Sequence, residues 1–518
     1  MKFDDVLETI GPFGKYQKIR CLLLCLFSLV SAWHALNMVF IGAEPEFHCD
    51  NPNINISSSI ISNSSHGDLL KLLVPDDSCK QYDEKDFIML YENFTGNVSQ
   101  LLTSNMSTTD CTRGFWYSKE KYSSTIFDLV CERKFWKSTS KSVFFFGRLC
   151  GAVLFGQLSD RYTGFSLIKI VLNRATGFLL RLAQAGIFLI AFTLSTELVG
   201  TKYRLLVGIM ILMFYSVGYM TLSGMAYLLR DWRYLELAIT LPVLFFVSYW
   251  WFLPESVRWL LSQNRNEEAK KYLQEAVATN GTALQLDVAH LTGQNFPPQH
   301  TSLTLWVHLI FRCFSPVRSR TVRQNLAGDP YLNFCIAGAV EIPALLLCMV
   351  SLNKVGRRIP LFISMCVGGV ACILSGTIPI NETLKVVLAM IGKFFITASY
   401  GIIHLMTAEV LPTVVRNIGM GVASMSARIG GILVPSMLDL KSIWTPLPLV
   451  IFGSLSITSG ILALLLPETT DKPLPQLLGD GGGCTDHYCD TTILKFAREF
   501  IKSVKCQPCS YFKLKCII

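Results

Sequence analysis

The feature that most constrains this chain is a succession of apolar runs, each close to the length that crosses a membrane. Runs at roughly 20–42, 140–159, 181–200, 205–229 and 234–253 precede a long polar stretch, and runs near 331–352, 359–379, 384–407, 417–438 and 443–466 follow it. A helix rises about 1.5 Å per residue, so about twenty apolar residues cross a hydrocarbon core roughly 30 Å thick. Only 16% of the residues are charged and 51% are hydrophobic, well short of the roughly 25% charge of soluble domains. The pattern predicts an all-α, polytopic, multi-pass membrane protein. The net charge of +9 reads as Lys and Arg kept in cytoplasmic loops, and no nucleic-acid partner is expected.

Charge placement orders the chain. Lys15, Lys18 and Arg20 stand just before the first run, so residues 1–19 are expected in the cytoplasm. Residues 20–253 form the first helical half, 254–330 a basic cytoplasmic linker, 331–467 the second helical half and 468–518 a cytoplasmic tail. The linker opens with Pro254-Glu255-Ser256-Val257-Arg258-Trp259-Leu260 and contains a Glu-Glu-Ala-Lys-Lys run at 267–271 that reads as a surface helix. Pro467-Glu468-Thr469 closes the last run as Pro254-Glu255-Ser256 closes the first half, a sign of two related halves. A shorter run at 165–180 carries Lys169 and Arg174 and is expected to cross as a short, tilted helix with those side chains snorkelling.

Residues 43–137 are a large polar insertion after the first run. It holds Cys49, Cys79, Cys111 and Cys131 and the sequons at Asn55, Asn63, Asn93, Asn97 and Asn105. Five sequons beside four cysteines point to an extracellular, glycosylated loop with two disulfides, in any of three pairings. The tail cysteines Cys484, Cys489, Cys506, Cys509 and Cys516 lack zinc-ligand spacing, so no metal is expected. There is no nucleophile elbow, phosphate loop or His-x-x-Glu-His spacing, and the reading is not an enzyme.

Two motifs sit at matched places in the two halves. Gly156-x-x-x-Asp160-Arg161 follows the second run, and Asn353-Lys-Val-Gly356-Arg357-Arg358 lies between the runs at 331 and 359. A small residue lets helices approach, while acid and arginine form charge-assisted bonds that can latch one conformation. With these, with the early cysteine-bearing loop, with Pro254-Glu-Ser-Val-Arg-Trp-Leu260 and with Thr407-Ala-Glu409-Val-Leu-Pro-Thr-Val-Val-Arg416, the chain resembles solute carrier family 22. That group comprises the organic cation, carnitine and organic anion transporters of the major facilitator superfamily. The resemblance implies a two-half helical bundle, a plasma-membrane location, no cofactor, and a small organic ion as substrate, with a co-transported ion left open. It also implies gating roles for Gly156, Asp160, Arg161, Gly356, Arg357, Arg358, Glu409 and Arg416. Two departures stand out: the family's third span is here the short charged run, and no twenty-residue apolar run precedes Asn325. The bundle is therefore expected to lack a complete third and seventh span.

Ionisable residues inside apolar runs are costly and usually line a cavity or form a pair. Glu341, in Val340-Glu-Ile-Pro343, is the candidate to face an organic cation. Arg428 matches a position that is basic in the family's anion and carnitine carriers, where a guanidinium would hold a carboxylate. Together they suit a zwitterion such as carnitine. Phe214, Tyr215 and Tyr219 offer rings for cation–π contacts. His34, Asn37, Lys393 and His404 are further polar residues within runs. The function read here is transport of organic cations or zwitterions by alternating access; the rivals are organic anion transport and a shortened isoform that does not transport. Protein from animal cells should gain gel mobility equivalent to several kilodaltons when N-linked glycans are removed enzymatically, and Asn280-Gly-Thr282 should stay unmodified.

Overall fold

The computed structural model describes residues 3–42, 47–49, 79–82, 108–111, 115–117, 131, 188–248, 253–262, 265–282, 295–296, 329–377, 382–411, 416, 419–421, 424, 444, 446–466, 468–469 and 477–478. The helices are α1 (Phe3–Ile10), α2 (Lys15–Leu36), α3 (Met38–Ile41), α4 (Phe188–Glu197), α5 (Thr201–Leu228) and α6 (Trp232–Thr240). After them come α7 (Val257–Ser262), α8 (Asn266–Asn280), α9 (Pro330–Ala339), α10 (Glu341–Val355), α11 (Arg358–Thr377), α12 (Glu382–Val410) and α13 (Leu447–Ala463). Among the described residues, the stretches Lys15–Ile41, Thr201–Leu228, Pro330–Val355, Arg358–Thr377 and Val387–Val410 are long and apolar enough to cross a membrane. The all-α, polytopic expectation holds. The expected third span and the gap before Asn325 fall outside the described residues.

Two runs are less regular than their hydropathy implies. The run at 234–253 is α6 followed by a 3-10 helix, Leu241–Ser248. Pro242 has no N–H to return to the carbonyl of Ala238, so the α-ladder cannot continue through it. The run at 331–352 spans α9 and α10 and breaks at Val340. Here Pro343 denies the carbonyl of Ala339 its partner, and α9 ends on that residue. α9 starts cleanly, with Asp329 accepting from the N–H of Tyr331 at 2.8 Å and Pro330 opening the first turn.

The chain divides into two compact units, residues 1–32, 145–220 and 245–518 in one and 33–144 with 221–244 in the other. The core of the first is Leu24, Phe192, Ile209, Leu212, Leu345, Met365, Ile402 and Met406, all buried. Between membrane helices burial from water drives little, because lipid is as apolar as leucine, so close packing and polar cross-links carry association. At the α11–α13 crossing, a Cβ on Gly369 would lie 2.8 Å from the carbonyl oxygen of Gly453, and one on Gly453 would lie 2.7 Å from that of Gly369. Only glycine fits on both sides. Ser28 donates to the carbonyl of Ile211 at 2.9 Å, Ser456 to that of Met365 at 3.0 Å, and Ser399 to Ser364 at 3.0 Å.

In the second unit, β1 (Phe47–Cys49) pairs antiparallel with β4 (Phe115–Tyr117), and β2 (Lys80–Tyr82) with β3 (Thr108–Asp110). Of the three pairings open to the loop cysteines, the structure has Cys49–Cys111 and Cys79–Cys131. Each closes a loop of 62 or 52 residues, for which chain-entropy arguments give about 4 kcal/mol. Trp33 donates to Thr221 at 2.9 Å, and Asn37 donates to Glu236 at 2.8 Å. The sequons at Asn55, Asn63, Asn93, Asn97 and Asn105 lie outside the described residues.

The polar start of the chain holds a helix that hydropathy did not mark. Val6, Leu7 and Ile10 of α1 are buried in one apolar cluster with Tyr16 and with Leu273 and Ala276 of α8. Spacings of three and four place each set on a single helical face. Asn280 ties the two segments. Its oxygen accepts from the N–H of Tyr16 at 3.0 Å, and its amide donates to the carbonyl of Ile10 and to Gln17, both at 3.1 Å. Arg20 and Glu275 add an ion pair at 2.5 Å. Replacing Asn280 by Ala removes three bonds at once and takes this partner from the Tyr16 N–H and the Gln17 oxygen, at roughly 1–3 kcal/mol for a buried group left unbonded, while the Ile10 carbonyl keeps the Thr282 hydroxyl. The expected result is a lower Tm in detergent and faster proteolysis of the first fifteen or so residues, with α12 unaffected.

Candidate functional site

Among the described residues, two clusters of charge lie inside the first unit. The larger gathers ends of helices from both halves of the sequence. Glu197, the last residue of α4, forms an ion pair with Arg416, and their side chains are only 6% and 0% exposed. Arg416 also donates through Nε to the carbonyl of Leu411 at 3.1 Å. Ser256 donates its hydroxyl to the second oxygen of Glu197 while accepting from the N–H of Trp259 at 3.3 Å, so it also caps α7.

The same arrangement recurs in the second half. Glu409, near the end of α12, pairs with Arg357 at 3.2 Å and accepts from the hydroxyl of Thr469 at 2.5 Å. Glu468 accepts from the backbone N–H groups of Arg357 at 2.9 Å and Arg358 at 3.2 Å, capping the start of α11. Gly356, with φ of +90°, makes this possible: a Cβ there would meet the Glu468 carboxylate at 2.8 Å. Of the residues expected at a gate, Gly356, Arg357, Arg358, Glu409 and Arg416 are thus placed in ion pairs or in the backbone turn that supports them. Gly156, Asp160 and Arg161 lie outside the described residues.

Glu197 escaped the sequence reading, although the signal was present. It is a lone carboxylate at the edge of an apolar run, the criterion that singled out Glu341. Ser256 and Thr469 were visible only as a repeated tripeptide, and nothing in the sequence said that their hydroxyls reach buried glutamates.

The second cluster surrounds Glu341, the first residue of α10. Its carboxylate accepts from the hydroxyl of Ser216 at 2.8 Å and pairs with Lys393 of α12 at 3.2 Å. The Lys393 ammonium also donates to the carbonyl of Ala337 and stands 4.7 Å from the centre of the Tyr219 ring. Tyr219 stacks on Phe334, with centroids 4.0 Å apart and planes 10° from parallel. The other two candidate rings go elsewhere. Tyr215 meets Phe188 edge-on at 5.5 Å, and Phe214 packs on the apolar core. Four residues separate Tyr215 from Tyr219, and it is the Tyr219 ring that lies under the Lys393 ammonium. Arg428 lies outside the described residues, so its distance from Glu341 is not part of this geometry. His404 packs against Tyr400 at 4.4 Å and Phe192 at 5.4 Å.

Comparison with known proteins supplies the class. A family model described as "Sugar (and other) transporter" matches residues 197–293 and 319–477. An "Organic cation transporter protein" of Drosophila melanogaster is 38% identical, over 93% of this chain and 94% of its own. "Solute carrier family 22 member 2" of Homo sapiens is 33% identical over 92% and 94%. The first alignment runs over 533 positions, more than the 518 residues here, so that relative has segments without a counterpart in this chain. Among solved structures, the proton:xylose symporter XylE superposes with a TM-score of 0.55 at 13% identity, over 89% of this chain and 98% of its own.

Glu197→Gln should cost about 3–5 kcal/mol, because it leaves the Arg416 guanidinium buried without its counter-charge. The double change Glu197→Gln with Arg416→Gln should be milder than either change alone. Thermal unfolding of the three variants in detergent measures the difference.

Proposed function

This chain belongs to solute carrier family 22 of the major facilitator superfamily, and on that premise we propose that it carries small organic cations or zwitterions across the plasma membrane by alternating access. It is a multi-pass membrane transporter and not an enzyme. The observation that carries the substrate reading is the Glu341 carboxylate, set inside an apolar span at a break between α9 and α10 with the Tyr219 ring close by. A carboxylate in that position is costly unless paired, and such residues mark substrate pathways. Arg428 would then hold the carboxylate of a zwitterionic substrate. The two glutamate–arginine pairs, Glu197–Arg416 and Glu409–Arg357, would form the latch on the side of the linker. Gly156, Asp160 and Arg161 would complete it in the first half. The linker and both termini would be cytoplasmic, and the disulfide-bearing loop would be outside.

Purified protein in vesicles with an imposed inside-negative potential should take up labelled tetraethylammonium and carnitine. Glu341→Gln should lower uptake of tetraethylammonium about tenfold at equal protein content, the scale of about 1.4 kcal/mol. Unchanged uptake would remove Glu341 from the site. Arg428→Ala should reduce carnitine uptake more than tetraethylammonium uptake. A second reading, a shortened carrier that assembles without transporting, draws on the relative's extra segments. Well-folded wild-type protein that moves neither compound would decide for it.

A further inference from the structure

The carboxylate of Glu341 already has a cation on it, and that cation belongs to the protein. The Lys393 ammonium makes each contact that an organic ammonium would seek there. It has a carboxylate at 3.2 Å, an aromatic face at 4.7 Å and a backbone carbonyl, that of Ala337. The ring is held in place by its stack on Phe334, and the carboxylate is oriented by Ser216 at 2.8 Å. The side chains of Lys393 and Glu341 are 8% and 18% exposed. Their charges sum to zero in a setting where an unbalanced charge is expensive.

That balance decides which ligands fit. A monocation that takes Glu341 must push Lys393 aside and deprive its ammonium of the counter-charge it has there, near the membrane interior. A zwitterion does not create this problem, because its cationic head takes Glu341 while its own carboxylate meets the displaced ammonium. The lysine stem has four flexible carbons, so the ammonium can swing away while its backbone stays fixed in α12. We propose that Lys393 is a tethered counter-cation that occupies the cation subsite in the empty carrier and sets its specificity. It favours substrates with a carboxylate close to the ammonium over bare monocations. This rests on Glu341 being the cation anchor, as proposed above.

Choline and glycine betaine share a trimethylammonium head and differ in bearing a hydroxyl or a carboxylate, so they isolate the effect. The test measures binding of each to the purified full chain by radioligand competition, and uptake of each in vesicles. Wild type should prefer betaine. Lys393→Gln should tighten choline about tenfold, weaken betaine, and reverse the order, whereas Lys393→Arg should keep the wild-type order. Equal changes for both ligands in Lys393→Gln, or no change, would overturn the proposal and leave the transport reading standing. Should Lys393→Gln not fold, the charge-neutral double variant Glu341→Gln with Lys393→Met answers the same question. It should bind both ligands weakly and equally, and a retained preference for betaine would overturn the idea. Wild-type protein that binds neither ligand would overturn both this proposal and the choice of Glu341 as anchor.

Discussion

The described bundle depends on carboxylates that are buried, or half-buried in the case of Glu341. Glu197, Glu341 and Glu409 each sit at the end of an apolar helix, and each is claimed by a cation and by a hydroxyl. An isolated buried carboxylate would cost several kcal/mol after relaxation, enough to consume much of a domain's net stability. Each pair must therefore form as the helices assemble, which fixes the relative position of the elements that supply it. Glu197 and Arg416 are 219 residues apart in sequence, so this pair joins distant segments in one step. Apolar packing alone would leave those helices free to slide, because leucine against leucine resembles leucine against lipid.

The two halves solve the same problem with the same parts. A Pro-Glu-Ser/Thr tripeptide follows the last span of each half and sends its hydroxyl to a glutamate at the end of an earlier helix. In the first half Ser256 reaches Glu197, and in the second Thr469 reaches Glu409. The glutamate within the second tripeptide, Glu468, caps the start of α11. In the second tripeptide the hydroxyl binds a carboxylate and the acid caps a helix. Two adjacent residues thus serve two separate demands of a helical end. In the proposed cycle these hydroxyl contacts can stay fixed within each half. The Glu197–Arg416 pair cannot, because it bridges the halves. Motion would then have to open this ion pair together with the Ser216–Glu341 bond and the Tyr219–Phe334 stack, which also join the halves.

Much of the architecture was legible because lipid imposes a length and a composition on whatever crosses it. The stretches at Thr201–Leu228, Arg358–Thr377 and Leu447–Ala463 stand close to where hydropathy put them. What hydropathy did not convey were interruptions and partnerships. Pro242 and Pro343 were in plain view, yet a window average cannot report one missing N–H. The α1–α8 clasp was hidden because short amphipathic helices with three or four buried residues barely raise the mean hydropathy. Glu341 was found because it was alone in an apolar run. Lys393 met the same criterion and was left without a role, since a sequence does not say that two residues 52 apart share one charge balance.

A carboxylate in an apolar run invites the view that it waits for a cationic substrate. A paired carboxylate is a different object, because its ligand must compete with a tethered cation at high effective concentration. The competitor lowers the affinity for every monocation, and by its own charge it rewards a ligand that carries an anion. It also removes the cost of leaving Glu341 charged when no substrate is bound, which a carrier that cycles empty must meet on each return. Specificity and the stability of the empty state would then rest on one lysine. Removing its charge would favour binding of simple cations while leaving Glu341 without a counter-charge whenever the site is empty.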